Sequence, residues 1–296
     1  MTTTAIQSGT ATVAALLAAG VQRLKRTQAP PAPGGTPELD AELLLAHAMG
    51  SGRVRLHSHP EEIPPAGAAG RFIDLIERRA AGEPLAYLLG RKDFWTLELN
   101  VSPAVLVPRP ETELLVERAL ALHAGEHARV ADLGTGSGAI ALALASARPH
   151  WQVTATDLSA EALAVARANA VRLGLTRVQC IEGDWLSCLI GCSFDLLLSN
   201  PPYVAAGDPA LEQPELRREP RLALIAAEEG LAALRTIIRT APDRLEPGGW
   251  LLLEHGATQA AAVAGELVAR GFAQVRSHRD LAGHERMTEG QWPTHP

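Results

Sequence analysis

Two apolar runs without alternation, Leu196-Leu197-Leu198 and Leu251-Leu252-Leu253, constrain the fold of this chain more than any other feature. A strand with one wet face alternates apolar and polar residues. An unbroken short run instead fits a strand covered on both faces, as in a parallel sheet with helices on either side. The surrounding pattern agrees. Strands are predicted over Arg129–Leu133, Val153–Thr156, Val178–Ile181, Phe194–Ser199, Trp250–Glu254 and Ala273–Ser277. Helical spacing fills the intervals at Ser137–Ala147, Ala160–Leu173, Leu231–Leu245 and Gln259–Arg270. The expected class is therefore α/β, a doubly wound, Rossmann-like sheet.

Before residue 90 the periodicity is helical only, over Ala11–Arg26, Pro37–Met49 and Gly67–Arg79, with a Pro/Gly loop from Pro30 to Pro37. Pro37 suits a first helical turn and Gly50 a stop. The segment Phe94–Val101 alternates and reads as a strand or hairpin. These shifts predict three parts: a helical domain over residues 1–90, a β-hairpin linker over 91–107 and the α/β domain over 108–296. Residues from Met287 onward read as a tail beyond the last strand, with no assigned role.

Composition narrows the function. A net charge of −6 and a pI near 5.9 disfavour a general nucleic-acid binder, which usually shows a basic face. Three cysteines cannot all pair, which suits a reducing compartment. Cys188 and Cys192 lack a second ligand pair, so no metal is expected. Met1–Gly9 carries no positive leader, and the apolar stretch Ala11–Val21 is too short to span a bilayer. The expectation is a cytoplasmic monomer with no membrane contact.

The chemistry concentrates at two loops. Asp132-Leu133-Gly134-Thr135-Gly136-Ser137-Gly138 falls where the first strand of the sheet gives way to a helix, at the edge where such folds bind ligands. Glycines there admit close backbone approach, and the helix start offers unpaired N–H groups. Gly134, Gly136 and Ala139 also satisfy a dinucleotide pattern, so NAD competes as a reading. Asp132 fits S-adenosylmethionine better, because a carboxylate suits its ammonium and would repel a pyrophosphate. Asp157, at the end of the second strand and about 20 residues on, suits a pair of ribose hydroxyls. After the third strand, Trp185 is placed to pack on adenine and Asp184 to meet its amine.

The second loop, Asn200-Pro201-Pro202-Tyr203, follows the buried strand Phe194–Ser199. Two prolines stiffen it and remove two donors. Asn200 Oδ1 and the Pro201 carbonyl can accept both hydrogens of a planar NH2, with the Tyr203 ring against its plane. A carboxamide nitrogen needs such help, because the resonance that gives amides a rotation barrier of ~18–20 kcal/mol ties up its lone pair. Acceptors on its hydrogens stabilise the charge developing on nitrogen. Alignment with a sulfonium methyl contributes about 7–11 kcal/mol more.

These motifs, with Gly82-Glu83-Pro84-Leu85-Ala86-Tyr87, Phe94-Trp95, Pro108-Arg109-Pro110-Glu111-Thr112-Glu113 and Leu251–Gly256, carry a resemblance. From about Leu39 to near its end the chain resembles the release factor glutamine N5-methyltransferases, the PrmC/HemK family. The resemblance implies that Gly134–Gly138, including Thr135 and Ser137, bind S-adenosylmethionine with Asp157, Trp185 and Asn200, yielding S-adenosylhomocysteine. It implies that Asn200, Pro201, Pro202 and Tyr203 hold the substrate glutamine, with Phe94, Arg109 and Glu113 close by. The implied substrate is the Gly-Gly-Gln glutamine of class 1 peptide chain release factors, engaged with help from the helical domain. The main rival is an adenine-N6 methyltransferase of DNA or RNA, which shares Asn-Pro-Pro-Tyr. The acidic balance and the lack of a basic target-recognition domain count against it.

Overall fold

A computed structural model of the chain describes residues 11–27 and 35–294. The readings of Met1–Gly9, of the start of the Pro30–Pro37 loop and of the final two residues lie outside the described residues. The chain divides into two compact units. One holds the residues up to Gly90 together with 212–218, and the other holds 91–211 and 219–296.

The first unit is helical: α1 (Val13–Lys25), α2 (Pro37–Met49), α3 (Arg53–Ser58), α4 (Ala68–Ala80) and α5 (Leu85–Leu89). The bounds of α2 follow from its caps. Thr36 Oγ1 accepts from Leu39 N–H at 3.1 Å, Pro37 occupies the first turn, and Gly50 closes the helix in the left-handed region at φ 62°. Leu16, Leu44, Leu45, Phe72 and Ile76 form the core. Arg79 is fully buried there, and a buried guanidinium requires partners. It has Asp40 Oδ2 at 2.8 Å from Nε and Glu215 Oε1 at 2.6 Å from Nη2. That second carboxylate explains why 212–218 packs with this unit.

The second unit opens with the hairpin β1 (Arg91–Phe94) and β2 (Leu97–Asn100), paired from Arg91↔Asn100 to Phe94↔Leu97. The run read as one strand or hairpin is thus a hairpin that turns at Trp95, φ 56°. Next come α6 (Glu113–Leu122), β3 (Arg129–Leu133), α7 (Ala139–Ala147), β4 (Gln152–Asp157), α8 (Ala160–Arg172), β5 (Gln179–Glu182) and β6 (Phe194–Ser199). The remaining elements are β7 (Val204–Ala205), α9 (Arg221–Leu224), β8 (Ile225–Ala226), α10 (Ala232–Thr240), β9 (Leu245–Glu254), α11 (Ala260–Arg270), β10 (Ala273–Arg279) and β11 (Glu285–Gln291). The helix expected over Leu231–Leu245 stops at Thr240. Pro242 follows in a 3-10 turn, and Leu245 already belongs to β9.

The main sheet has seven strands in the order β10-β11-β9-β6-β3-β4-β5, with β9, β6, β3, β4 and β5 parallel. Both faces are covered, as the apolar runs predict. Leu196, Leu198 and Leu252 pack into one cluster with α6 and α7, while Leu197, Leu251 and Leu253 pack into the other with α10 and α11. One expectation is corrected. The supposed tail after Met287 contains most of β11, an internal strand antiparallel to both β9 and β10, with Met287–Gly290 buried. Its polar residues have partners: Arg118 clasps Glu289 at 2.9 and 3.1 Å, and Thr288 Oγ1 meets His255 Nε2 at 2.8 Å. No described helix is long and apolar enough to cross a membrane.

Candidate active site

Parallel pairing brings the carboxyl ends of β3, β4 and β6 to one edge, and the two chemical loops leave from there. Ser199 Oγ donates to the Leu133 carbonyl at 2.7 Å and so clamps β6 to β3 beside both loops. Between them lies a cavity of about 360 Å³, within the range of small-molecule sites.

The glycine loop is pinned from behind. The N–H groups of Gly134 and Thr135 both donate to the Thr156 carbonyl at 2.9 Å. Gly134 has φ 73°, and a Cβ there would sit 3.1 Å from the Trp185 ring, so only glycine lets the indole lie against the turn. Gly134, Thr135, Gly136 and Ser137 line the cavity, as do Asp184 and Trp185 opposite them. Asp157 joins them on the wall. Its Oδ2 accepts from Gly136 N–H at 2.8 Å and its Oδ1 from Ser159 N–H at 2.9 Å. Burial raises its pKa against those two hydrogen bonds. A loop N–H that a pyrophosphate would need is therefore already held by a carboxylate, which favours a cationic cofactor over NAD.

Asp132 differs from expectation. It is fully buried and does not line the cavity. Its Oδ2 accepts from Thr135 Oγ1 at 2.6 Å and Ala141 N–H at 3.2 Å, so it staples the loop to the first turn of α7. Burial pushes its pKa up to about 7, with those hydrogen bonds opposing the rise.

The Asn200–Tyr203 loop is divided in its exposure. Asn200 and Pro202 line the cavity, whereas Pro201 and Tyr203 do not. The Tyr203 ring packs among sheet-side apolar residues, and its hydroxyl donates to Glu254 Oε1 at 3.2 Å. Asn200 Nδ2 donates to Thr112 Oγ1 at 3.0 Å, leaving Oδ1 as the end available to a guest.

The residues taken from the resemblance also separate. Arg109 lines the cavity, and its Nη2 donates to the buried Glu219 at 2.5 Å, which also accepts from Val107 N–H at 3.1 Å. Phe94 is 1% exposed inside the core, away from the wall. Glu113 accepts from Trp95 N–H at 2.8 Å and anchors the hairpin turn. Neither touches the cavity, because each is held by packing or a hydrogen bond that positions β1 and β2.

Sequence reasoning missed several supports. Asn169, fully buried, donates to the carbonyls of Asn100 and Ser137 at 2.9 Å and accepts from Asn100 N–H at 2.8 Å, joining hairpin to glycine loop. Gln259 Nε2 donates to the Tyr203 carbonyl at 3.1 Å, while Gln259 Oε1 accepts from Gly256 N–H at 2.8 Å. No local motif announces either residue.

The Tyr203 carbonyl is also closely approached by Gly230, at φ 89°, where a Cβ would fall 2.1 Å from it. Gly230→Ala is therefore expected to destabilise by about 2–3 kcal/mol, through backbone strain and a clash the loop must move to relieve. Denaturant unfolding checks this, and a variant as stable as the parent would contradict it.

Among solved structures, the hMettl16 catalytic domain in complex with an RNA hairpin is 20% identical at TM-score 0.57, covering 75% of this chain and 83% of that one. A methyltransferase from Pyrococcus furiosus is 20% identical at TM-score 0.52, covering 67% and 90%. The methyltransferase small domain family model matches residues 110–213. Fold and domain together define a Rossmann-like methyltransferase.

The PrmC N-terminal domain model matches residues 14–90. The release factor glutamine methyltransferase of Pseudomonas aeruginosa is 53% identical, over 91% of this chain and 97% of its own. That of Xylella fastidiosa is 50% identical over 94% and 98%, and that of Vibrio cholerae 45% over 96% and 98%. The chain belongs to the release factor glutamine methyltransferase family.

Proposed function

We propose that this chain transfers a methyl group from S-adenosylmethionine to the side-chain amide nitrogen of a release-factor glutamine, that of the Gly-Gly-Gln motif in class 1 factors. The observation that carries the reading is the orientation of Asn200. Thr112 engages its amide nitrogen, so a carbonyl oxygen remains for the cavity beside Pro202. A neutral acceptor there suits a guest that offers two N–H hydrogens and carries no charge. S-adenosylmethionine, when bound, supplies an electrophilic methyl on a sulfonium. The residues that would hold it are Gly134, Thr135, Gly136 and Ser137, with Asp157 on the ribose hydroxyls and Trp185 and Asp184 near the base.

Asn200 Oδ1 and the Pro201 carbonyl would accept from the substrate NH2, raising electron density on nitrogen as it attacks. Arg109, neutralised by Glu219, lends the rim a polar edge without net charge. Tyr203 supports the loop through Glu254 and is not a wall against the substrate amide. The relatives' shared name supports a release factor as substrate, and the acidic composition supports a protein over a nucleic acid.

The test uses methyl-labelled cofactor with three acceptors: a release factor, the same factor with its loop glutamine replaced, and DNA. Label should enter only the first. Label in DNA and none in the factor would favour the adenine reading instead.

A further inference from the structure

A carboxamide turned by 180° presents nitrogen where oxygen stood, at little steric cost, so some neighbour must choose which end of Asn200 meets the cavity. Thr112 Oγ1, 3.0 Å from Nδ2, does not choose alone, because a hydroxyl both donates and accepts. Glu254 stands behind it, 2% exposed at the end of β9. Its Oε1 accepts from the Tyr203 hydroxyl at 3.2 Å, and the Thr112 hydroxyl also stabilises its ionised form. Its Oε2 is buried with no hydrogen-bond partner of its own among the described residues. An ionised carboxylate only accepts. Thr112 then directs its single hydrogen towards Glu254, and its oxygen is left to receive a hydrogen from Asn200 Nδ2.

We propose that Glu254 is a positioning residue: acting through the Thr112 hydroxyl, its negative charge holds Asn200 with Oδ1 turned to the substrate nitrogen. The inference rests on the glutamine-methylation reading and adds a control to it. Burial raises the Glu254 pKa to about 7, while the Thr112 and Tyr203 hydroxyls oppose the rise; Glu111 adds to it and Arg286 counters it. The other titratable groups nearby hold steady around that pH. The Tyr203 pKa is pushed well up by burial, with Arg286 and Arg109 acting against this, and the His255 pKa is lowered by burial. Protonated Glu254 can donate to Thr112, which frees the threonine hydrogen for Asn200 Oδ1. The amide then turns its NH2 into the cavity, donor against donor.

The experiment follows the Asn200 side-chain amide by ¹⁵N NMR, and kcat in parallel, from about pH 5.5 to about pH 8.5. In the parent protein the amide signals should move with a midpoint near the Glu254 pKa, and kcat should rise through the same range. In Glu254→Gln the amide should stop titrating, the rise in kcat should vanish, and kcat at the upper end should be at least about 10-fold lower, with the KM for cofactor little changed. Thr112→Val should lose kcat similarly, and Thr112→Ser should restore most of it. If Glu254→Gln does not fold, the Thr112 pair carries the test.

A folded Glu254→Gln protein whose Asn200 signals and kcat still titrate as in the parent would overturn the proposal. So would Thr112→Val with parental kcat. Should the parent fail to methylate a release factor, the functional reading falls, and the Asn200 titration still decides the role of Glu254.

Discussion

Asn200→Ala is expected to lower kcat on a release factor by about 10²-fold or more, the scale seen when one preorganised transition-state hydrogen bond is removed. The substitution takes away the only side-chain acceptor that the Asn200–Tyr203 loop brings to the cavity wall. It also strands the Thr112 hydroxyl, which is 4% exposed and has no water to replace the lost amide. The effect should lie mainly in the chemical step, because an amide nitrogen gains positive charge only as it attacks. Single-turnover rates at saturating cofactor separate that step from binding. Retention of more than about a tenth of the parental rate would mean the carboxamide does not assist the nitrogen.

The second large effect concerns the chain's last strand. A chain ending at Gly283 lacks β11, and loss of the cooperative fold is expected. Residues 287–291 pair with 250–254 of β9 on one side, and β11 pairs with β10 on the other. Without β11, β10 has no neighbour to join it to the sheet, and the cluster containing Leu251, Leu253, Leu267 and Phe272 opens to solvent. Arg118 would also lose Glu289, one half of a partly buried pair. Circular dichroism on heating should show no sharp transition in the truncated chain. A cooperative melt within a few degrees of the parent would show that the strand is dispensable.

That strand marks where the sequence stops being legible. The parallel strands could be read because Leu196–Leu198 and Leu251–Leu253 state their burial locally, and α2 because Thr36, Pro37 and Gly50 mark both its ends. In Glu285–Gln291 only Met287 is apolar, and what permits its burial arrives from Arg118 and His255, remote in sequence. The site divides in the same way. The glycine loop, Asp157, Trp185 and Asn200 could be placed because each sits at the end of a strand whose direction is predictable. Asp132, Tyr203, Phe94 and Glu113 were assigned to ligands because their types suit ligands, and the structure engages each with its own chain instead. Glu254 acquires its environment from Tyr203 and Thr112, and no spacing along the chain encodes that meeting.

Residues 212–218 have a practical consequence for anyone exchanging parts between relatives. Cutting after Gly90 looks clean along the sequence, yet a transplant of that fragment would carry Arg79 with Asp40 and without Glu215. It would also leave Gly82 facing the space that Pro214 fills, since a Cβ there would lie 2.3 Å from the proline ring. A working graft must bring both pieces from the same donor, so variation at positions 79 and 215 has to be inherited as a unit.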